Sequence, residues 1–458
     1  MSLDELRDKV MSIAETTIKY AKDLSIPTAE VYVLEQSISN LTDNQGKIDS
    51  RDGLVQGVGI RVAVGKKLGF ASSTGFDNDS IKISLKKAHD IAKVSPENPM
   101  FEGFVTDTKL AKEGIFDPDI PHLDSDDMIE HCNIMSKDID MSDKRIISGS
   151  YGVNTIWEGY AVGTTEGCLS SSLNTVYGAN SFFVVTEAGD RKTSFDFVTG
   201  RKIQSVKKIA QNALTKAINS LGSKAFGGTE VLPTVWEPRE ASSFLMFAFF
   251  NCLSGTTYVE KSNPWREKLN EQVAVKEFTL IDDGQKPDTS ACRAIDAEGI
   301  PKQTTTAIEN GILKTFLFDK MYGQAAGFAS TGNASRGGIF GGVAYENIPS
   351  VGPNKMLINE GSKSLDEQIS EIDKGILISG EPIGMFTANP VTGDFSITCS
   401  EAFLILKGEK TDSLKTISIA GNYFDTLNNI RSLGNDREET GGPLDAPSMT
   451  LMNHTISD

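Results

Sequence analysis

Apolar positions recur with a helical period at the start of the chain. Leu6, Val10, Ile13, Ile18 and Ala21 share one face of the stretch from Leu3 to Leu24, which predicts an amphipathic helix ended by Pro27. The pattern then becomes β-branched: "AEVYVLEQSISNLTDNQ" and "DGLVQGVGIRVAVGKKLGFASS" read as strands, with turns at Asn44–Gly46 and Gly65–Lys67. "NDSIKISLKKAHDIAKV" restores the helical period, with Asp79 or Ser80 as N-cap. Helix, strands and helix predict an α+β module over residues 1–97. Pro96, Pro99 and Gly103 mark a linker. A central α+β domain is expected over 112–222, with a helix at 125–141, strands between Ile146 and Phe197, a helix at 203–221 and a break at Gly222.

From residue 228 to 458 the chain turns strand-rich. Asn310–Gly311 between apolar alternations is a strong two-residue hairpin signal, and glycines at 323, 327, 332, 337, 338, 341 and 342 imply long loops. One stretch departs from this pattern. "FLMFAFFNCLSG", residues 244–255, has only Asn251 as a polar side chain in its first ten residues. A helix over 238–253 follows, with Pro238 in its first turn and Gly255 as its stop, and a helix apolar on every side is expected to be buried. The expected fold class is α+β: N-terminal α/β-type modules, then a large, mainly antiparallel β C-terminal domain with a buried helix. No fixed-period repeat is present.

Composition narrows the function classes. Lys plus Arg number 45 against 62 Asp plus Glu, a formal charge of −17 that opposes direct binding to nucleic acid or anionic membranes. The five cysteines are dispersed, without a CxxC pair, which argues against a disulfide framework or a zinc knuckle and fits a reducing cytoplasm. The N-terminal residues alternate charge with apolar side chains, unlike a signal peptide. The apolar run at 244–253 is half the roughly 20 residues that span a bilayer. A soluble, cytoplasmic protein is expected.

Catalytic signatures are few. The four histidines form no HExxH, and His131–Cys132 beside Asp126, Asp127 and Glu130 reads as a solvated helix face, because neighbouring helix positions point about 100° apart. There is no G-x-S-x-G elbow and no phosphate loop. Cys399 in "TGDFSITCSEAF" reads as a small buried hydrophobe. Arg201, Lys202, Lys207 and Lys208 read as the outer face of the helix at 203–221.

The distinctive blocks lie further on: "LNEQVAVKEFTLIDDG", "RAIDAEGIPKQTTTAIENGILKTFLFDK", "ASTGNASRGG", "ANPVTGDFSITCSEAFLILKGEK" and "ISIAGNYFDTLNNIRSLGND". Together they resemble the C-terminal core of the TldD/PmbA family, also described as modulators of DNA gyrase, and the last two resemble its PmbA (TldE) branch. The match is specific from about residue 270 to 436 and extends, with the N-terminal pattern, over nearly the whole chain. By this resemblance, TldD-type members are zinc peptidases whose C-terminal domain carries an HExxxH helix and a further Cys ligand. PmbA-type members lack those ligands and pair with a TldD-type subunit. Aligning the family's HExxxHxLEG on "MFAFFNCLSG" puts the first His at Met246, the Glu at Phe247 and the second His at Asn251, while Leu253 and Gly255 keep the framework. No Cys follows residue 399.

The resemblance therefore implies no metal in this chain, zinc in a TldD-type partner, a heterodimer or homodimer, and peptide as substrate. Asn389, Thr392, Gly393, Asp394 and Ser396 are candidates for a cleft, although "TGDFS" is equally a strand-to-strand turn in which Gly393 supplies φ freedom. Two other readings compete. One is an autonomous hydrolase using Cys399, Asp394 or Ser396, and the other is a non-enzymatic peptide-binding homodimer.

Overall fold

The first helix, α1 (Leu3–Asp23), begins with a reciprocal cap in which Ser2 Oγ accepts from the Glu5 amide and Glu5 returns the bond to Ser2 N. It ends ahead of Pro27, where Ser25 at φ 56° turns the chain. β1 (Thr28–Asn44) and β2 (Lys47–Val64) are joined by Gln45 and Gly46, both at positive φ (57° and 87°), a hairpin geometry whose twist matches its strands. β3 (Lys67–Thr74) leads to α2 (Asn78–Val94), capped by Asp77 rather than by Asp79 or Ser80: the Asp77 carboxylate accepts from Ser80 N at 2.9 Å. α3 (Ser125–Ser136) stops short of residue 141. β4 (Ile146–Thr164), β5 (Leu169–Glu187), β6 (Asp190–Gly200) and α4 (Ile209–Asn219) follow. The computed structural model describes residues 2–109, 111, 116–289, 291–337 and 342–458. Gly338, Gly341 and residue 112, the expected start of the central domain, lie outside the described residues.

Strands β3-β2-β1-β4-β5-β6 form one sheet in that order, each antiparallel to its neighbour. β1 pairs with β4 from Glu30↔Thr164 to Asp43↔Tyr151, so the segments 1–97 and 112–222 each contribute strands to a single sheet. Both faces of β1 are covered, which explains the four consecutive apolar residues Val31–Leu34. Val31 and Val33 pack with α1 and α2, whereas Tyr32 and Leu34 pack with Ile295, Ala297, Ala334 and Tyr345 of the C-terminal half. Gly57 and Gly59 permit that approach: a Cβ on Gly59 would lie 2.4 Å from the Tyr345 carbonyl oxygen, and one on Gly57 2.5 Å from its ring. Arg201, expected on a solvated helix face, is instead buried ahead of α4 and donates to the carbonyls of Cys292 and Leu173, because the two halves close over it.

Among the described residues, the C-terminal half carries an eight-stranded and a five-stranded sheet. β7 (Thr229–Trp236) lies inside the larger one, antiparallel to Met449–Ser457 and parallel to Lys374–Ile378. In the smaller one, Asn310 (φ 51°) and Gly311 (φ 79°) make the expected hairpin. α5 (Pro238–Cys252) leaves β7 and enters the main core, where Phe244, Leu245 and Phe249 are fully buried beside Trp236, Trp265 and Phe278. Each such side chain contributes about 1.5–3 kcal/mol of transfer free energy. The architecture is α+β with mainly antiparallel sheets. Among the described residues, no helix is long and apolar enough to cross a membrane.

Candidate functional site

α5 opens at Pro238, whose missing N–H is no loss in a first turn. Its other end is closed by a side chain rather than by the expected glycine. Asn263 Nδ2 donates to the carbonyls of Asn251 (2.9 Å) and Cys252 (3.1 Å), and Thr257 Oγ1 donates to Asn251 O at 2.7 Å, satisfying last-turn acceptors. Leu253 caps the helix in the right-handed region. Gly255 is required by packing instead: a Cβ there would lie 2.2 Å from the Phe318 ring and 2.6 Å from the Leu317 carbonyl oxygen.

The uniform apolarity of α5 does not mean uniform burial. Ala241, Phe244, Leu245, Ala248, Phe249 and Cys252 are buried, but Ser243, Met246, Phe247, Phe250 and Asn251 are only half-buried. Phe247, Phe250 and Asn251 line a cleft of about 420 Å³ whose opposite wall includes Phe386, Asn389, Gly393 and Tyr423. The Phe386 ring is 61% exposed, so it walls the cleft rather than filling the core, and it meets Phe247 edge-on at 4.5 Å. Tyr423 is buried, and its hydroxyl has no hydrogen-bond partner among the described residues. Burial pushes that phenol well above its ordinary range, so it stays a protonated donor at neutral pH. The described lining contains no Asp, Glu, His, Lys or Arg. Such a cleft can hold an apolar chain and offer it a few hydrogen bonds, but its described lining brings no carboxylate, imidazole or amine to serve as a general base.

Of the positions that the resemblance sets against the family's HExxxH, Phe247 and Asn251 are one helical turn apart and share the cleft, whereas Met246 lies about 100° round the helix and packs against the main core. Zinc takes thiolate, imidazole or carboxylate at about 2.0–2.3 Å, and a thioether, a phenyl ring and a carboxamide do not fit it. Among the described residues, no three of His, Cys, Asp and Glu approach as a ligand set.

The candidate turn divides in the same way. Asn389 and Gly393 line the cleft, while Thr392, Asp394 and Ser396 do not. Asn389 Oδ1 accepts from the amides of Val391 (2.9 Å) and Thr392 (3.1 Å), and Gly393 sits at φ 83°. Asp394 accepts from Thr392 Oγ1 (2.7 Å) and Asn422 Nδ2 (2.9 Å), and these bonds hold its carboxyl below the usual range. Ser396 is exposed on the strand Asp394–Cys399, opposite Ala420. Cys399 is fully buried, with Sγ donating to the carbonyls of Gly380 and Glu401 at 3.4 Å each, and burial pushes its thiol up to about 12. His131 is tied to the Tyr177 hydroxyl at 2.8 Å, and Cys132 is packed in the core under α3.

The blocks "DAEGIPK" and "STGNASR" build the joint between the halves. Asp296 accepts from the amides of Glu298, Ile300 and Ala334, which folds the first block against the second. That places Glu298 and Arg336 against Glu30 and Arg61 of the N-terminal sheet. Sequence reasoning missed Phe386, Tyr423 and Phe424 as cleft walls. They come from two short helical turns, Met385–Thr387 and Tyr423–Asn428, remote from α5 in the chain, and follow no period. Phe250 had a signal, lying three residues from Phe247 on the same helix.

Residues 229–458 match the family profile described as the PmbA/TldA metallopeptidase C-terminal domain, and residues 29–92 that of PmbA/TldA metallopeptidase domain 1. An uncharacterized protein of Methanocaldococcus jannaschii is 28% identical over 448 residues, 97% of this chain and 99% of that protein. A metalloprotease TldD homolog of Haemophilus influenzae is 24% identical, with 89% of this chain and 84% of its own length covered. The crystal structure of TldE from Thermococcus kodakarensis superposes with a TM-score of 0.85 at 22% identity, covering 97% of this chain and 100% of that one. Since the C-terminal profile alone takes in half of the sequence, the chain belongs to the PmbA/TldD metallopeptidase family.

Proposed function

We propose that this chain is a PmbA/TldE-like subunit of a two-chain zinc peptidase: it shapes the cleft and holds peptide, while an HExxxH-bearing TldD-type subunit brings zinc and the general base. The carrying observation is the cleft over α5, where the positions of the family's Glu and second His are Phe247 and Asn251 and the walls are apolar. Without a Lewis acid or a base, water there keeps its ordinary reactivity. Small or unfolded peptides suit such a cleft, because apolar side chains are available to it only when a substrate is not folded. The burial of Cys399 and the engagement of Asp394 within its own turn weigh against an autonomous hydrolase. All five cysteines are free and buried, which supports a reducing cytoplasm as the compartment.

The test compares the purified chain, an HExxxH-bearing family member and their mixture on an unfolded peptide, with zinc counted by elemental mass spectrometry. The isolated chain is expected to carry no stoichiometric zinc and cleave nothing, and the mixture to exceed the partner alone. Cleavage by the isolated chain that survives a chelator, or a mixture no more active than the partner, would overturn the proposal. Native mass spectrometry separates the heterodimer from a peptide-binding homodimer.

A further inference from the structure

A second concavity lies at the other end of α5. Glu240, in the first turn, is 5% exposed, and its Oε2 is buried with no hydrogen-bond partner among the described residues. Its Oε1 lies 4.0 Å from Lys216 Nζ, which is closer to Glu237, at 2.8 Å. A buried carboxyl oxygen without a donor is costly, so its persistence calls for an occupant. Glu240 lines a concavity of about 260 Å³ together with Glu381, Glu401, Phe182, Phe195 and Ile383. The aromatic wall comes from the β5–β6 hairpin and the acidic wall from the C-terminal half, so docking of the halves creates the site.

The surrounding cations are largely committed. Arg239 is held by Asp196 and Glu438, and Lys192 Nζ donates to the carbonyls of Ser400 (3.1 Å) and Leu414 (3.2 Å). Lys216, paired more closely with Glu237, and Arg239 are the cations that line the concavity beside Glu240. Burial raises the Glu240 carboxyl above the usual carboxylate range and pushes that of Glu401 up to about 7, more than the neighbouring lysines offset. A ligated metal ion does not answer the need, because among the described residues these carboxyl groups do not converge as a ligand set. An organic cation does. Its charge lies against the acids, and its apolar body lies against Phe182, Phe195 and Ile383, which are 39%, 45% and 63% exposed.

We propose that this concavity binds a primary ammonium group carried on an apolar body, with Glu240 Oε2 accepting one of its N–H bonds. The amino terminus of a peptide is the favoured source, because α5 continues from this site to the apolar cleft. Glu240, Ser243, Phe247 and Phe250 follow one another along one face of the helix. The rise from Glu240 to Phe247 is about 10 Å, or about three residues of extended chain. A peptide anchored by its ammonium would set its third or fourth residue against Phe247. This extension rests on the peptide-holding role proposed above, but the ammonium site does not.

Calorimetric titration of the full chain alone tests it, using the tripeptide Phe-Leu-Phe amide, its N-acetyl counterpart and phenethylamine at pH 8. The free-amine tripeptide is expected to bind at least tenfold more tightly than the acetylated one, and Glu240→Gln to abolish that preference without weakening the acetylated peptide. Phenethylamine matching the tripeptide would support the ammonium site with a small free amine as its source. Weaker phenethylamine binding supports the peptide terminus. No preference for the free amine, or a preference that survives both Glu240→Gln and Glu401→Gln, overturns the proposal. Failure to gain activity with an HExxxH subunit would refute the pairing and leave this binding unchanged.

Discussion

Replacing Arg336 by methionine removes one cation from the most deeply buried ion network of the joint. Glu30 is fully buried and accepts from Arg61 Nε and Arg336 Nη2, each at 2.8 Å, and Arg61 also reaches Glu298 at 2.9 Å. Two carboxylates balance two guanidiniums in the native chain. In the R336M variant, Glu30 and Glu298 share Arg61 alone, leaving one uncompensated negative charge out of water. Removal of one partner from a buried pair costs about 3–5 kcal/mol. Loss of the guanidinium from above the Tyr32 ring, 4.7 Å from its centroid, adds about 0.5–2 kcal/mol. Urea unfolding followed by tryptophan fluorescence and far-UV circular dichroism is the assay. Glu30→Gln added to R336M restores one carboxylate to one guanidinium, so the double variant is expected to recover at least half of the loss. A loss below about 1 kcal/mol in R336M, or a double variant no more stable than the single one, would refute the view that charge balance holds the halves together.

Other outcomes follow from the same structure. Phe249→Ala, in the buried stripe of α5, is expected to cost about 3–5 kcal/mol, whereas Phe247→Ala at the cleft should cost less than half as much; similar midpoint shifts for the two in urea would contradict the division of the helix into core and cleft faces. All five cysteines are buried, so the native chain should resist a thiol reagent that labels all of them in guanidinium, and rapid labelling of Cys399 would remove its structural reading. His454 is buried, and burial lowers its pKa from 6.5 to about 4; the folded state resists protonation that the unfolded chain accepts, so its contribution is full above pH 6.5 and is lost as pH falls toward 4. Relative to His454→Gln, the wild type should lose on the order of 3 kcal/mol across that window, and parallel stability curves for the two proteins would contradict this.

Much of the architecture was legible because it rests on local rules. The period of Leu6, Val10, Ile18 and Ala21 marked α1, and Asn310–Gly311 marked a hairpin that forms at those two residues. Helix ends were less legible. Asp77, Ser25 and Asn263 set boundaries that Ser80, Pro27 and Gly255 had suggested, because caps depend on which backbone groups remain unpaired after packing. Of the site, the family resemblance implied that ligating and basic side chains are replaced at Met246, Phe247 and Asn251, but not that two of the three face a cleft. Composition reports the apolar character of a helix but not which side meets another element.

What the sequence by itself determined was the α+β class, the family resemblance and the apolar character of α5 from Phe244 to Leu253, since these depend on side-chain identity and on spacing within a few residues. Only the tertiary structure decided that β1 and β4 share a sheet, that Glu30 meets Arg336, and that Phe247 meets Phe386 across a cleft. Those contacts join residues more than a hundred positions apart, where no local period operates. The Glu30–Arg336 contact arises because the second face of the N-terminal sheet is buried by the C-terminal half, with Gly57 and Gly59 leaving room for it to approach.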